Sequence, residues 1–338
     1  MKTRLMIFAL AAAVFCDCQA PEKPMFGKGA FNSDGTPIVK EPEEEPGEGE
    51  GTIEYDELKI MSFNVLRQNA KDPDDQKWEY RLPAILSMLK EVSPDVIGLQ
   101  ECLEAQYMNL LTGLGGDYSG EYIPAAKKNF GTCILYKNTL FSLKGRGYHW
   151  YSDEPDKPSP AWVDVGCDDP TYRTYIWVDL RHKEYDYPLY FYTTHFPRNY
   201  AAANAEKNRA ARLKCAQAMI DHAAARVQED DPVVFTGDFN CKMSNIGDGL
   251  EPFTKWMKYA WQELPASDYD TYRAHNSFDG ISPIAGGIKD SVDYIWYRNL
   301  IPEKYRTIVE PYEGIKYISD HYPILFTAKV AYKKAKTD

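Results

Sequence analysis

Cysteine is scarce in this chain and poorly spaced for metal chemistry. There are seven in 338 residues, and no CxxC pair among them, which excludes a zinc ribbon and a thioredoxin-type redox motif. Beyond Cys16 and Cys18 five remain: Cys102, Cys133, Cys167, Cys215 and Cys241. An odd number cannot all pair within one chain; the sequence permits one disulfide and assigns none. Basic residues are also in deficit, 39 Lys and Arg against 50 acids, for a net charge of −11. Residues 1–55 hold five bases and ten acids, −5, which leaves −6 for the rest. Such a body argues against tight binding along a nucleic-acid backbone, where affinity comes from Lys and Arg on phosphates. A local basic cleft stays open, and the clusters are few: Lys127-Lys128, and Arg67 with Gln68 and Asn69. No internal repeat is visible.

The N-terminus carries Lys2 and Arg4 and then the apolar run Leu5–Phe15. That run has signal-peptide length and is too short to span a bilayer. Residues 1–18 are therefore expected to be an export signal. Cys16 and Cys18 resemble the lipid-attachment cysteine of bacterial lipoproteins, although Phe15 and Asp17 are not the small residues preferred before it. Two readings follow, a lipid anchor as the sole membrane contact or a plain secretory signal. Either places the protein in the cell envelope, anchored or periplasmic, or outside the cell. Residues 19–55 read as a tether, because Lys40–Gly51 is acidic, rich in Pro and Gly, and nearly free of apolar side chains. It cannot bury enough surface to offset its ordering entropy.

From Asp56 the pattern is globular, with 44% hydrophobic and 14% aromatic residues over the whole chain, enough for a sizeable core. Strands are expected at Leu58–Val65, Asp95–Gln100, 131–137, 140–149, 173–182, 189–196, Pro232–Asp238, 291–298 and 322–330. Helices are expected at Trp78–Glu91, at Leu103–Leu114 before Gly115-Gly116, and at Asn199–Val227. Many strands and few long helices indicate two β-sheets packed face to face with helices outside. Residues 56–332 read as one domain and 333–338 as a tail, in a monomer.

Six short segments place polar groups at strand ends: Ser62-Phe63-Asn64, Gly98-Leu99-Gln100-Glu101, Thr194-His195, Gly237-Asp238-Phe239-Asn240, Val292-Asp293-Tyr294 and Ser319-Asp320-His321. Any one of them alone is more simply a turn or a surface hydrogen bond. Six in one domain are hard to explain as independent turns, because strand ends on a rigid scaffold are where sites are built. Their chemistry converges. Glu101 and Asn64 offer hard oxygen ligands suited to Mg²⁺, with Mn²⁺ as the substitute, and a Mg²⁺ site needs only one or two carboxylates. His321, next to Asp320 and with Asp293 as a second orienting carboxylate, is an acid–base arrangement. His195 and Asn240 can donate to a phosphoryl oxygen. Together they suit metal-assisted phosphoester hydrolysis.

The ordered series S-F-N, G-L-Q-E, T-H, G-D-F-N, V-D-Y-I and S-D-H-Y-P resembles the endonuclease/exonuclease/phosphatase superfamily, over about residues 56–330. The resemblance implies a four-layer α/β sandwich of two mostly antiparallel β-sheets flanked by helices, with a pseudo-twofold arrangement. It also implies roles: Glu101 holds the metal with Asn64, and Asp320 lies beside the metal and His321. Asp293 orients His321, the base. Asp238 and Asn240 contact the nucleophile and the scissile phosphate, and His195 stabilises the transition state. Members of the superfamily differ over whether the last histidine or the aspartate of G-D-x-N is the base; His321 is the choice here. Arg173 is either a phosphate contact or an ordinary edge arginine. Arg209 and Arg212 are expected on a solvated helix face, and His149, His182, His222 and His275 as structural. Trp150-Tyr151 either stack on a substrate ring or pack.

The catalytic set does not choose the phosphoester, since function sits in the loops of a shared fold. The acidic body and the tether favour a small or lipid-derived phosphoester, such as an inositol phosphate or a phospholipid head group. An extracellular nuclease is the second reading. A binding protein that lost catalysis is the third, and the intact acids and His321 speak against it.

Overall fold

A computed structural model describes residues 52–123, 131–199, 201–278, 280 and 283–334. The apolar run, Cys16, Cys18, the Lys40–Gly51 stretch and Lys127-Lys128 lie outside the described residues. In chain order the elements are β1 (Ile53–Asn64), α1 (Trp78–Val92), β2 (Val96–Gln100), α2 (Glu104–Gly113), β3 (Tyr118–Tyr122), β4 (Thr132–Lys137), β5 (Phe141–Trp150), β6 (Thr174–His182), β7 (Pro188–His195), α3 (Ala205–Ala224), β8 (Val233–Asp238), α4 (Glu251–Trp256), β9 (Lys258–Tyr259), β10 (Asp293–Arg298), β11 (Ile301–Thr307) and β12 (Ile324–Lys333).

Two six-stranded sheets form, in the orders β11-β12-β1-β2-β4-β3 and β5-β6-β7-β8-β10-β9. In each, the central pair is parallel, β1 with β2 and β7 with β8, and the other pairings are antiparallel. Each parallel pair is joined by a helical crossover, α1 or α3, as parallel strands require. After each pair the chain passes through a helix to an edge strand and then returns beside the second central strand. The two halves thus share a topology that no sequence repeat records.

Alternation along the strands builds the layers. Leu58 and Ile60 of β1, Val96 of β2, Ile176 and Val178 of β6 and Phe191 of β7 face inward and fill the space between the sheets. Met61, Phe63, Ile97 and Leu99 face outward and pack with Ala84, Ile85, Met88 and Leu89 of α1 and with Tyr107 and Leu110 of α2. Tyr192, Phe235 and Trp296 do the same against α3 and Phe253 of α4. Each fully buried side chain of this kind contributes about 1.5–3 kcal/mol. α1 stops where Ser93 turns left-handed, at φ 50°, directly before Pro94.

β1 begins at Ile53, inside the stretch assigned to the tether, because Ile53–Tyr55 pair with Lys333–Ala331. Lys333 completes β12, and the Lys334 amide donates to the Thr52 carbonyl at 3.0 Å. α3 is shorter than the Ala-rich run suggested, being preceded by a 3-10 turn at Ala202–Asn204. Arg212 is not solvated: it is fully buried and braces the loop after β8, pairing with Asp248 at 3.0 Å and donating to the Asn199 Oδ1 at 3.1 Å. A guanidinium has enough donors to be buried when carbonyls and a carboxylate surround it. Arg209 is half-buried and pairs with Glu251 at 2.5 Å. Trp150 and Tyr151 pack, both buried, and the Tyr151 hydroxyl bonds Thr194 Oγ1 at 2.7 Å. All five cysteines from Cys102 onward are free.

Candidate active site

At the C-terminal ends of the two parallel pairs the inter-sheet layer changes from apolar to polar. Gly98 sits where the sheets meet; a Cβ there would stand 2.0 Å from the Thr236 Oγ1 and 2.5 Å from that of Thr193. The missing side chain lets Gln100 of β2 donate across to Thr193 of β7 at 2.8 Å. One step further along, Asn64 of β1 donates through Nδ2 to the Asp238 Oδ2 of β8 at 3.2 Å. Strand register brings the rest. Asp238 lies opposite His195 on one side and Asp293 on the other.

His321 arrives from the loop before β12. Its Nδ1 is 2.8 Å from the Asp293 Oδ2, and its Nε2 faces the Asp238 Oδ2 at 3.9 Å. The geometry places a proton on Nδ1, donated to Asp293, whichever charge the ring carries. His195 Nε2 lies 3.4 Å from the same Asp238 oxygen, and its Nδ1 has no hydrogen-bond partner among the described residues. Asn240, at φ 50°, donates its backbone N–H to Asp238 Oδ1 at 3.0 Å and one Nδ2 hydrogen to the Phe196 carbonyl at 2.9 Å. The second Nδ2 hydrogen has no acceptor among the described residues.

Acids outnumber the imidazole here. Burial, then the neighbouring Asp293, pushes the Asp238 carboxyl up to about 7, while the charge on His321 works the other way. Burial alone would lower the pKa of His321; Asp293, then Asp320 and Asp238, outweigh it and hold that pKa well above the usual range. His195 is driven well below its usual value, first by burial and then by Arg173, His321, Arg198 and Arg67. It is a neutral donor or acceptor.

Glu101 follows β2 in a left-handed backbone at φ 53°, and its charge is felt at Asp238. Its carboxylate makes no hydrogen bond or ion pair with any described residue. Asp320 accepts from the Ser319 hydroxyl at 3.3 Å. An unpaired carboxylate beside further acids, some of them buried, is a donor set that fits a hard divalent cation. Asp238, Asp293 and His321 also bring ligand atoms within 4.8 Å of one another. Of these, Asp293 and His321 already satisfy each other, and the Asn64 Oδ1 accepts the Leu66 amide at 3.1 Å.

Thus Asn64, His195, Asp238, Asn240, Asp293 and His321 meet at one end of the sandwich, with Glu101 and Asp320 at its margin. Arg173 is no edge arginine. It is 3% exposed, held through Nε by Asp169 at 2.9 Å, and it reaches the site through its field on His195. Asp169 had no signal in the sequence; it is buried and also accepts the Arg198 amide at 3.2 Å. Nor had Arg81, a fully buried residue of α1 that donates to the carbonyls of Val65, Leu66 and Ile318 at 2.6, 2.9 and 2.8 Å. It ties the loop after β1 to the loop of His321. His275, read as structural, stacks at a tilt 6.0 Å from the His321 ring.

The sequence model of the Endonuclease/Exonuclease/phosphatase family matches residues 61–321. The uncharacterised protein L388 of Acanthamoeba polyphaga mimivirus is 24% identical over 285 residues, 79% of this chain and 98% of that one. Among solved structures, an endonuclease/exonuclease/phosphatase family protein from Bacteroides thetaiotaomicron superposes with a TM-score of 0.68 at 21% identity, covering 82% of this chain and 97% of that one. The mannosyl-6-phosphatase Bt3783 of Bacteroides thetaiotaomicron VPI-5482 gives 0.66 at 21%, covering 80% and 98%. Identities this low speak for the fold alone.

Proposed function

We propose, this chain being a member of the Endonuclease/Exonuclease/phosphatase family, that it is a Mg²⁺-dependent hydrolase of a small or lipid-derived phosphoester. The observation that carries the reading is the His321–Asp293 pair facing Asp238 across 3.9 Å. Such a gap suits one water hydrogen-bonded by both groups. The neutral form of His321, which a bound divalent cation would favour by offsetting the acids around the ring, can take the water's proton through Nε2, and Asp293 stabilises the ring charge that results, a general-base arrangement. Asp238, held by Asn64 and the Asn240 amide, fixes the direction of attack. Asn240 and the neutral His195 lie where they can donate to phosphoryl oxygens. Glu101, with Asn64 and Asp320, would hold the metal, which supplies Lewis-acid stabilisation of charge on the phosphoryl group.

The acidic composition supports a small substrate over a polynucleotide, and the likeness to a mannosyl-6-phosphatase adds phosphorylated sugars to inositol phosphates and phospholipid head groups. Export is part of the proposal, from Lys2, Arg4 and Leu5–Phe15, with lipidation at Cys16 or Cys18 as one form of it. A panel of sugar phosphates, inositol phosphates, sphingomyelin, plasmid DNA and RNA, each with Mg²⁺ or EDTA, tests the substrate. Robust metal-dependent DNA cleavage without turnover of the small esters would reverse the ranking. Mass spectrometry of the mature N-terminus tests export; a cytoplasmic chain that still begins at Met1 would refute it.

A further inference from the structure

The segment Ala274–Phe278 runs beside the loop that carries His321. His275 and His321 form an isolated antiparallel bridge, and the Tyr322 amide donates to the Ala274 carbonyl at 2.5 Å. The Ala274 amide in turn donates to the Ser291 Oγ at 2.9 Å, two residues before Asp293. The segment is therefore fastened to both sides of the His321–Asp293 pair.

Asn276 is its central fastening. It is fully buried. Its backbone N–H donates to the Asp320 carbonyl at 2.7 Å, where the Ser277 amide also arrives at 3.0 Å. Its Nδ2 donates to the Ser319 carbonyl at 3.0 Å. Its Oδ1 accepts the Phe278 amide at 2.8 Å, which sustains the left-handed φ of 52° and 53° at Ser277 and Phe278. One side chain thus closes the turn of the strap and satisfies a carbonyl of the catalytic loop. Without it, the Ser319 carbonyl loses a buried donor and the turn loses its closure.

We propose that Asn276 is a positioning residue: through Ser319 and Asp320 it sets the loop so that the His321 imidazole meets Asp293 and faces Asp238. It touches no reacting atom. The proposal rests on the hydrolase reading above, and its test separates the two. Asn276→Ala removes both side-chain bonds. Asn276→Asp is nearly isosteric and keeps the acceptor for Phe278, and it replaces the donor to Ser319 by an acidic oxygen facing that carbonyl, so it serves where the alanine variant fails to fold. Per folded molecule, kcat is expected to fall about 10- to 100-fold with KM within about twofold, the pattern of a displaced catalytic group. Nitrogen-15 NMR of the imidazoles is expected to show the His321 Nδ1 proton shifted or broadened in both variants. Unchanged kcat together with an unmoved His321 resonance would overturn the proposal. If the wild-type protein turned over no phosphoester, the hydrolase reading would fall, and the His321 resonance would still decide whether Asn276 positions the ring.

Discussion

At His321 one ring nitrogen is committed to Asp293 and the other faces Asp238 across 3.9 Å. When neutral, a ring held in that way has one tautomer and one direction in which to accept a proton. His321→Ala is therefore expected to lower kcat by roughly 10²–10⁴, the usual contribution of a positioned acid–base group, while leaving the fold intact in circular dichroism. Glu101 stands in contrast, a left-handed residue whose carboxylate finds no partner among the described residues. Glu101→Gln should keep the shape and lose the charge. The Mg²⁺ concentration for half-maximal activity should rise, and saturating Mg²⁺ should restore much of the rate. An unchanged Mg²⁺ titration would remove Glu101 from the metal site.

The elements matter as carriers of these residues. α1 delivers Arg81 to four carbonyls, those of Val65, Leu66 and Ile318 in two loops and that of Gln76 ahead of the helix. Arg81→Ala should strand those acceptors and cost at least about 3 kcal/mol in denaturant unfolding, with the loop of His321 loosened as well. α3 delivers His222 against Tyr192, whose hydroxyl lies 3.0 Å from its Nδ1. Burial, then His149 and Arg226, lowers its pKa to about 4. Between pH 6.5 and about 4 the unfolded chain binds a proton there that the folded chain does not, so acid disfavours the native state. Relative to a His222→Gln variant, the wild type should lose stability as pH falls through that window. A stability difference independent of pH would contradict this. The central strands and the three longer helices were legible because their apolar residues alternate or recur with helical spacing, whereas the six-residue α4 (Glu251–Trp256) was too short to show a period. Tyr118–Tyr122 and Ile301–Thr307 were not, being edge strands with mixed, half-buried patterns and, in the second, a bulge after Pro302. At the site, residues in motifs at strand ends could be read. Asp169, Asn276, Arg81 and His275 could not, since each is placed there by tertiary contacts that no local pattern encodes.

At the scale of the whole molecule, two topologically matched halves place their parallel pairs so that four C-terminal strand ends meet. One half brings Asn64 and Glu101, the other His195 and Asp238, and the strands that flank each pair add Asp293 and His321. The division explains why six dispersed motifs form one site in a chain with no sequence repeat, and why an acidic protein can still gather Arg67, Arg173 and Arg198 around His195. If this junction hydrolyses a phosphoester with a divalent metal, both the metal and His321 are required. The most direct test is release of phosphate or alcohol from the substrate panel by the purified wild type with Mg²⁺, with EDTA, and by His321→Ala with Mg²⁺. Turnover is expected in the first case alone. Turnover that survived both EDTA and the loss of His321 would contradict that requirement.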